Sequence, residues 1–317
     1  MPSYALFGSC FESELPFEGL KSAGSLLPRW KLVVRDTPAP PRSGTLLGTS
    51  RVDEGISVHL SQDARGYRLE YEDTGTFDVN DSGRSITWYR VPGADLEHAR
   101  LDILGRVMAI ALHAGGDFCL HASAVLTPQG AIAFMAPKFH GKSTLAMALA
   151  HAGCPALTDD ILPIGFRARC VVARPGVPQL RLWSDSARRL APDRVEGHVG
   201  GKYTMDSILT VRASDSEFPL AALYILSPRI SQSSTHVVTR HRLAPVQAAL
   251  TLVGQAKAGE LLGGAEAPGL LRRAVAVAGQ APMYRLEIVR DYDRLSEATT
   301  HIIGWHRERA QHTAASA

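Results

Sequence analysis

One stretch constrains this 317-residue chain more than any other: GAIAFMAPKFHGKSTLAMALAHAG, residues 130–153. Residues 130–136 form an apolar run with the length of a buried strand. A short loop follows, and then an apolar helical run, LAMALAHAG, with Gly153 as its expected C-cap. Gly141-Lys142-Ser143-Thr144 stands at the joint of loop and helix. In that order of elements, loop amides and a helix N-terminus converge on phosphate oxygens. Lys142 then neutralises the β- and γ-phosphates, and the Ser143 hydroxyl holds Mg²⁺. The usual pattern is GxxxxGK[ST]. Here Ala136 takes the place of the first Gly, with Pro137, Lys138, Phe139 and His140 filling the loop. If position 136 or 139 needs a left-handed backbone, Ala or Phe carries a steric cost there.

The next predicted strand, 155–164 (PALTDDILPI), carries Asp159-Asp160 at its end. A carboxylate beside such a loop holds Mg²⁺, and a second one can accept a proton from an attacking hydroxyl. His121 lies on the strand predicted before the loop strand, 118–126 (FCLHASAVL). Alternation places it on one face with Cys119 and Ser123. Its setting alone reads as that of a core histidine.

Charge supports this placement. The chain carries 34 basic and 31 acidic residues, too near balance for a nucleic-acid binder, and no aromatic-interleaved basic run stands out. Residues 1–116 hold 12 Lys/Arg against 15 Asp/Glu, whereas residues 117–317 hold 22 against 16. An anionic ligand therefore belongs in the second part. Lysine is scarce, with only Lys21, Lys31, Lys138, Lys142, Lys202 and Lys257. The four cysteines have neither CxxC nor zinc-finger spacing. Without a signal-like start or a stretch of about 18 apolar residues, a cytoplasmic setting away from membranes is expected.

The first part reads as strands: 4–11, 30–36, 66–72, 76–80 and 84–90, rich in aromatic and β-branched residues and separated by turn formers. From Asp95, Leu96, Leu101, Leu104, Val107, Met108 and Leu112 recur at helical spacing. The expected class is α/β, or α+β overall. A mainly antiparallel β domain at 1–93 and a connecting helix at 94–116 precede a P-loop domain at 117–317. A C-terminal helix is expected at 293–309, followed by a frayed, solvated tail.

LHASAV, the GKST segment and LTDDILPI together resemble the catalytic domain of HPr serine kinase/phosphorylase. The chain looks more closely like the HPr-kinase-related proteins of lasso-peptide (ribosomal peptide) biosynthetic clusters. The blocks YALFGSCFESELPFEGL, PGVPQLRLWSDSARRL and MYRLEIVRDYDRL extend that resemblance over nearly the whole chain. It implies a fold shared with phosphoenolpyruvate carboxykinase and ATP- and Mg²⁺-dependent phosphorylation of a serine hydroxyl, the C-terminal Ser of a precursor peptide. It also implies roles. Asp159 is the general base, Asp160 with Ser143 faces the metal, and His121 orients the base. Arg181 and Lys202 lie near nucleotide or acceptor phosphate, and residues 136–144 cradle the phosphates. Self-association is plausible within such a family. Relatives read GPSGxGKST, so the loop here departs from them. That departure keeps other readings open: a non-catalytic nucleotide-sensing or peptide-presenting module, or transfer of a nucleotidyl or several phosphoryl groups.

Overall fold

The computed structural model describes residues 1–314 except 54, 169, 178, 193–195, 200, 206–210, 212–216 and 230–235. Pro178, within the PGVPQLRLWSDSARRL block, and the tail residues 315–317 lie outside the described residues. Among the described residues the strands form three sheets, and the chain is a mixed α/β protein.

The first sheet contains β1 (Ser3–Leu6), β2 (Ser9–Ser13), β3 (Pro28–Arg35), β4 (Thr45–Asp53), β5 (Ile56–Asp63), β6 (Gly66–Tyr71), β7 (Gly75–Asn80) and β8 (Ser85–Arg90). Their order is β1-β2-β3-β8-β7-β6-β5-β4. The pairs β2–β3 and β3–β8 are parallel, and the others are antiparallel. Two details differ from the sequence expectation. Residues 4–11 are not one strand but a hairpin, broken where Phe7 and Gly8 turn left-handed at φ 49° and 73°. Residues 45–63, to which periodicity assigned nothing, form the antiparallel pair β4–β5. Their aromatic-free, polar-rich composition carries little strand signal.

The helical run after Asp95 is continuous but not regular. It comprises α1 (Leu96–Asp102), a π-helical turn (Ile103–Val107) and α2 (Met108–Ala114). The Asp95 carboxylate caps it by accepting from the N–H groups of Glu97 and His98. Met108 to Leu112 are all buried, so α2 is hydrophobic on every side and packs between the sheets.

The second sheet begins with β9 (Phe118–Leu120), β10 (Ser123–Thr127) and β11 (Gly130–Met135), followed by α3 (Lys142–His151). Next come β12 (Ala156–Thr158), β13 (Leu162–Phe166) and β14 (Val171–Ala173). A small third sheet is formed by β15 (Leu180–Trp183), with α4 (Ser184–Leu190) after it, β16 (Glu196–Val199) and β17 (Lys202–Met205). The chain then returns as β18 (Phe218–Arg229), β19 (Val238–Arg242), α5 (Pro245–Gly254), α6 (Gly259–Gln280), β20 (Met283–Val289) and α7 (Leu295–Ala314). The second sheet runs β12-β10-β11-β18-β14-β13-β9, with β20 pairing both β18 and β19. Helix α7 continues through the segment expected to fray after 309.

Two strands expected as continuous are broken, and both breaks serve the site. Residues 118–126 split at His121-Ala122, and 155–164 split at Asp159–Ile161. The Asp pair thus directly follows the end of β12, and β13 begins after it. His121 does not follow the alternation that grouped it with Cys119 and Ser123. Its N–H leaves the sheet to donate to the Gln255 carbonyl at 2.8 Å.

Strand β11 is buried along its whole length. Its alternate residues enter two different cores. Ala131, Ala133 and Met135 join Ile103, Val107, Met108 and Leu112 together with the first sheet. Ile132 and Phe134 join Leu145, Met147 and Leu149 of α3 and Ile302 of α7. At the join of the first sheet and α2, Gly83 adopts φ 70°, and a Cβ there would lie 1.9 Å from the Ala111 carbonyl oxygen. Gly83→Ala is therefore expected to lower stability by roughly 1–3 kcal/mol. The urea midpoint should fall with an unchanged slope.

Candidate functional site

The apolar run of β11 ends at Ala136, and the chain crosses to α3 through residues 137–141. Phe139 and Gly141 are both left-handed, at φ 66° and 88°. Gly141 takes that conformation without cost, whereas Phe139 pays about 1–2 kcal/mol for it. Ala136 is not among the left-handed residues, so of the two positions flagged above the steric cost falls on 139 alone. Phe139 is 60% exposed and stacks on Trp183, with ring centroids 4.8 Å apart. Lys202 Nζ lies 5.2 Å from the same Trp183 ring. Such a pair contributes about 0.5–1.5 kcal/mol and offsets much of the backbone cost.

No side chain caps the N-terminus of α3. Its first amides therefore remain available for an anion. Lys142 is buried at 9% exposure and reaches across the loop, donating from Nζ to the Ala136 carbonyl at 2.8 Å. Burial lowers its pKa, while Asp159 and Asp160 work the other way.

The Asp pair occupies a tight turn. Thr158 Oγ1 donates to the Ile161 carbonyl at 2.6 Å. Gly176 packs so closely on it that a Cβ would lie 1.9 Å from Thr158 Oγ1. Asp159 faces the phosphate loop. Its Oδ1 accepts from Ser143 Oγ at 2.9 Å and from Ser123 Oγ at 2.5 Å, and its Oδ2 accepts from the Arg181 N–H at 3.0 Å. A hydroxyl and a carboxylate beside a helix N-terminus are hard oxygen donors of the kind Mg²⁺ takes alongside phosphate oxygens.

Asp160 points elsewhere. Held at φ 90°, it receives both its hydrogen bonds from Lys257 Nζ, each at 2.7 Å. His121 Nδ1 stands 3.6 Å from its Oδ1. Burial raises the Asp160 pKa, but the Lys257 ammonium outweighs it and holds the carboxyl well below its ordinary value. For His121, burial and then Lys257 push the imidazole down to about 3, against the pull of Asp160. The ring is therefore neutral at physiological pH. Lys257 reaches this position because residues 255–257 lie along β9. Its N–H donates to the Cys119 carbonyl at 2.8 Å, and Leu120 and Ala256 form a β-bridge.

His121, the phosphate loop, Asp159, Asp160, Trp183, Lys202 and Lys257 line one cleft of about 1090 Å³. It contains every residue that the sequence singled out: His121, residues 136–144, Asp159, Asp160, Arg181 and Lys202. Within it, Lys138 is exposed and Thr144 is turned aside, its hydroxyl 3.0 Å from Ser186 Oγ. Arg181 meets Asp159 through its backbone N–H, and burial lowers the pKa of its guanidinium and of the Lys202 amine. Lys257, Ser123 and Trp183 were not found by motif reading. Only the scarcity of lysine pointed at Lys257.

No protein-family model and no curated protein matches the chain. Among solved structures it is similar to the HPr(Ser) kinase/phosphatase from Coxiella burnetii, at 12% identity and a TM-score of 0.34, over 62% of this chain and 95% of that one.

Two tests follow from the geometry. Phe139→Ala loses the ring stack and keeps the left-handed strain, whereas Phe139→Gly loses both. The Gly variant should therefore be the more stable by about 1 kcal/mol in urea unfolding. A neutral His121 should show ring resonances that do not titrate between about pH 4.5 and 8. Because its folded pKa lies below that of the unfolded chain, the unfolded state binds the extra proton. Stability should then fall as pH drops from 6.5 towards 3, and less steeply in His121→Asn.

Proposed function

We propose that the cleft is the active site of an ATP-dependent kinase that phosphorylates a serine hydroxyl of a peptide. The resemblance of the sequence blocks implies the C-terminal Ser of a precursor peptide as acceptor. One observation carries the reading: an uncapped helix N-terminus, with Lys142 spanning its loop, meets two adjacent carboxylates with different partners. One is tied to the Ser143 hydroxyl and the other to an ammonium.

On this reading the pair takes the opposite roles to those that the resemblance implies. Asp159, bonded to Ser143, is the carboxylate placed to hold Mg²⁺ with that hydroxyl. Asp160, open to the cleft beside His121, is placed to receive a proton. Bound there, the metal supplies neutralisation of phosphate charge. Loop amides and Lys142 orient the triphosphate. As the serine oxygen bonds to the γ-phosphorus, the bond to the bridging oxygen breaks and its electron pair leaves with ADP. The serine proton passes to Asp160. The low pKa of Asp160 fits a loose transition state, in which positioning outweighs the strength of the base. Neutral His121 keeps a second positive charge away from Lys257 and helps aim the carboxylate.

Incubating the full chain with γ-labelled ATP, Mg²⁺ and serine peptides, read by intact mass, tests this. A single added phosphate is expected, with Asp160→Asn lowering kcat by about 10²–10⁴-fold while nucleotide still binds. Lys142→Ala should abolish transfer. Bound nucleotide with no phosphopeptide would leave a non-catalytic module, and a product heavier by a nucleotidyl group would establish adenylylation instead.

A further inference from the structure

Beyond the phosphate loop, the cleft continues to a wall supplied by the first sheet and the irregular helix. Val52, Ile56, Asp73, Leu101, Asp102 and Arg106 line it. Asp102 closes α1 where the π turn begins, and it is only 9% exposed. Its Oδ2 accepts from Thr74 Oγ1 at 2.8 Å. Burial, opposed by that hydrogen bond and reinforced by Asp73, pushes its carboxyl up to about 7. One buried polar atom of this wall, Asp73 Oδ1, has no hydrogen-bond partner among the described residues. A buried carboxylate oxygen without a donor is a vacancy that a ligand N–H can satisfy.

Asp73 and Asp102 face Arg106 and His98, and Glu260, which accepts from Ser50 Oγ at 2.6 Å, lies 3.8 Å from Arg106. The opposite half of the cleft carries Lys138, Lys142, Arg181, Lys202 and Lys257. The cleft therefore gathers its lysines where phosphates belong, while Asp73, Asp102 and Glu260 stand with Arg106 at its far wall. One short segment serves both halves: Lys257 on Asp160 and Glu260 at the wall are three residues apart.

We propose that this wall is the acceptor subsite and that it binds an ammonium or guanidinium carried by a residue of the peptide near its serine. The inference rests on the kinase reading of the same cleft. The cation donates to Asp73 Oδ1 beside the Asp102 carboxyl, while Val52, Ile56 and Leu101 cover the aliphatic stem of the side chain.

The test uses fluorescently labelled serine peptides with one Lys placed at successive offsets from the serine, and matched Ala and Glu peptides. Binding to the full chain is read by anisotropy, and transfer by intact mass. The best Lys peptide should bind roughly tenfold tighter than its Ala match, and Asp73→Asn and Asp102→Asn should each erase that preference. Asp73 is the less buried of the two, so its variant decides the matter should Asp102→Asn fail to fold. Equal binding of Lys and Ala peptides, or a preference that survives in Asp73→Asn, overturns the subsite whatever the chemistry does. A Lys preference lost in the variants, with no phosphate transferred by the wild-type chain, upholds the subsite and overturns the kinase reading.

Discussion

The carboxylate of Asp159 is the point on which the site hangs. Its two oxygens collect the hydroxyl of Ser143 from the first turn of α3, the hydroxyl of Ser123 from β10 and the backbone N–H of Arg181 from β15. Three elements that are distant in sequence thereby acquire a common origin, and the phosphate loop is registered against the Asp turn. Charge-assisted hydrogen bonds of this kind are short and strong. Because Asp159 is committed on both oxygens, its neighbour is left to do something different. The left-handed backbone at Asp160 turns that second carboxylate away towards Lys257 and His121. Adjacent residues of one type are thus separated in function by one dihedral angle.

Much of this was legible in the sequence, for identifiable reasons. The loop and α3 announce themselves because an all-apolar strand, GKST and an apolar helix have distinct periodicities that meet at one joint. The helix after Asp95 is equally plain, but its π turn is not, since one extra residue per turn leaves the apolar spacing nearly intact. The break at His121 was hidden by the apolar residues around it, and that at Asp159–Ile161 by the apolar run ILPI that resumes directly after the Asp pair. What ends those strands is tertiary: the Gln255 carbonyl draws off the His121 N–H, and the close packing of Gly176 bends the Asp turn. Lys257 is the clearest omission. It lies 97 residues from its partner, in a segment with no motif, and only the β-bridge beside β9 brings it home.

The charge asymmetry of the chain also gains a spatial meaning. Of the charges in the cleft, Asp73, Asp102 and Arg106 come from before residue 117, whereas Lys138, Lys142, Arg181, Lys202 and Lys257, with Asp159, Asp160 and Glu260, come from after it. Composition indicated the sign of each half, but only the fold could show that the two halves face the same space.

The alternation of β11 between two cores has a consequence for how a ligand is met. A strand gripped on both faces cannot shift towards one without opening a cavity in the other. The floor of the loop is therefore set before anything binds, and the entropy lost on binding is confined to the rim, where Pro137, Lys138 and Phe139 are exposed. Selectivity among ligands then resides in that rim, and substitutions there can change what is held without disturbing where it is held.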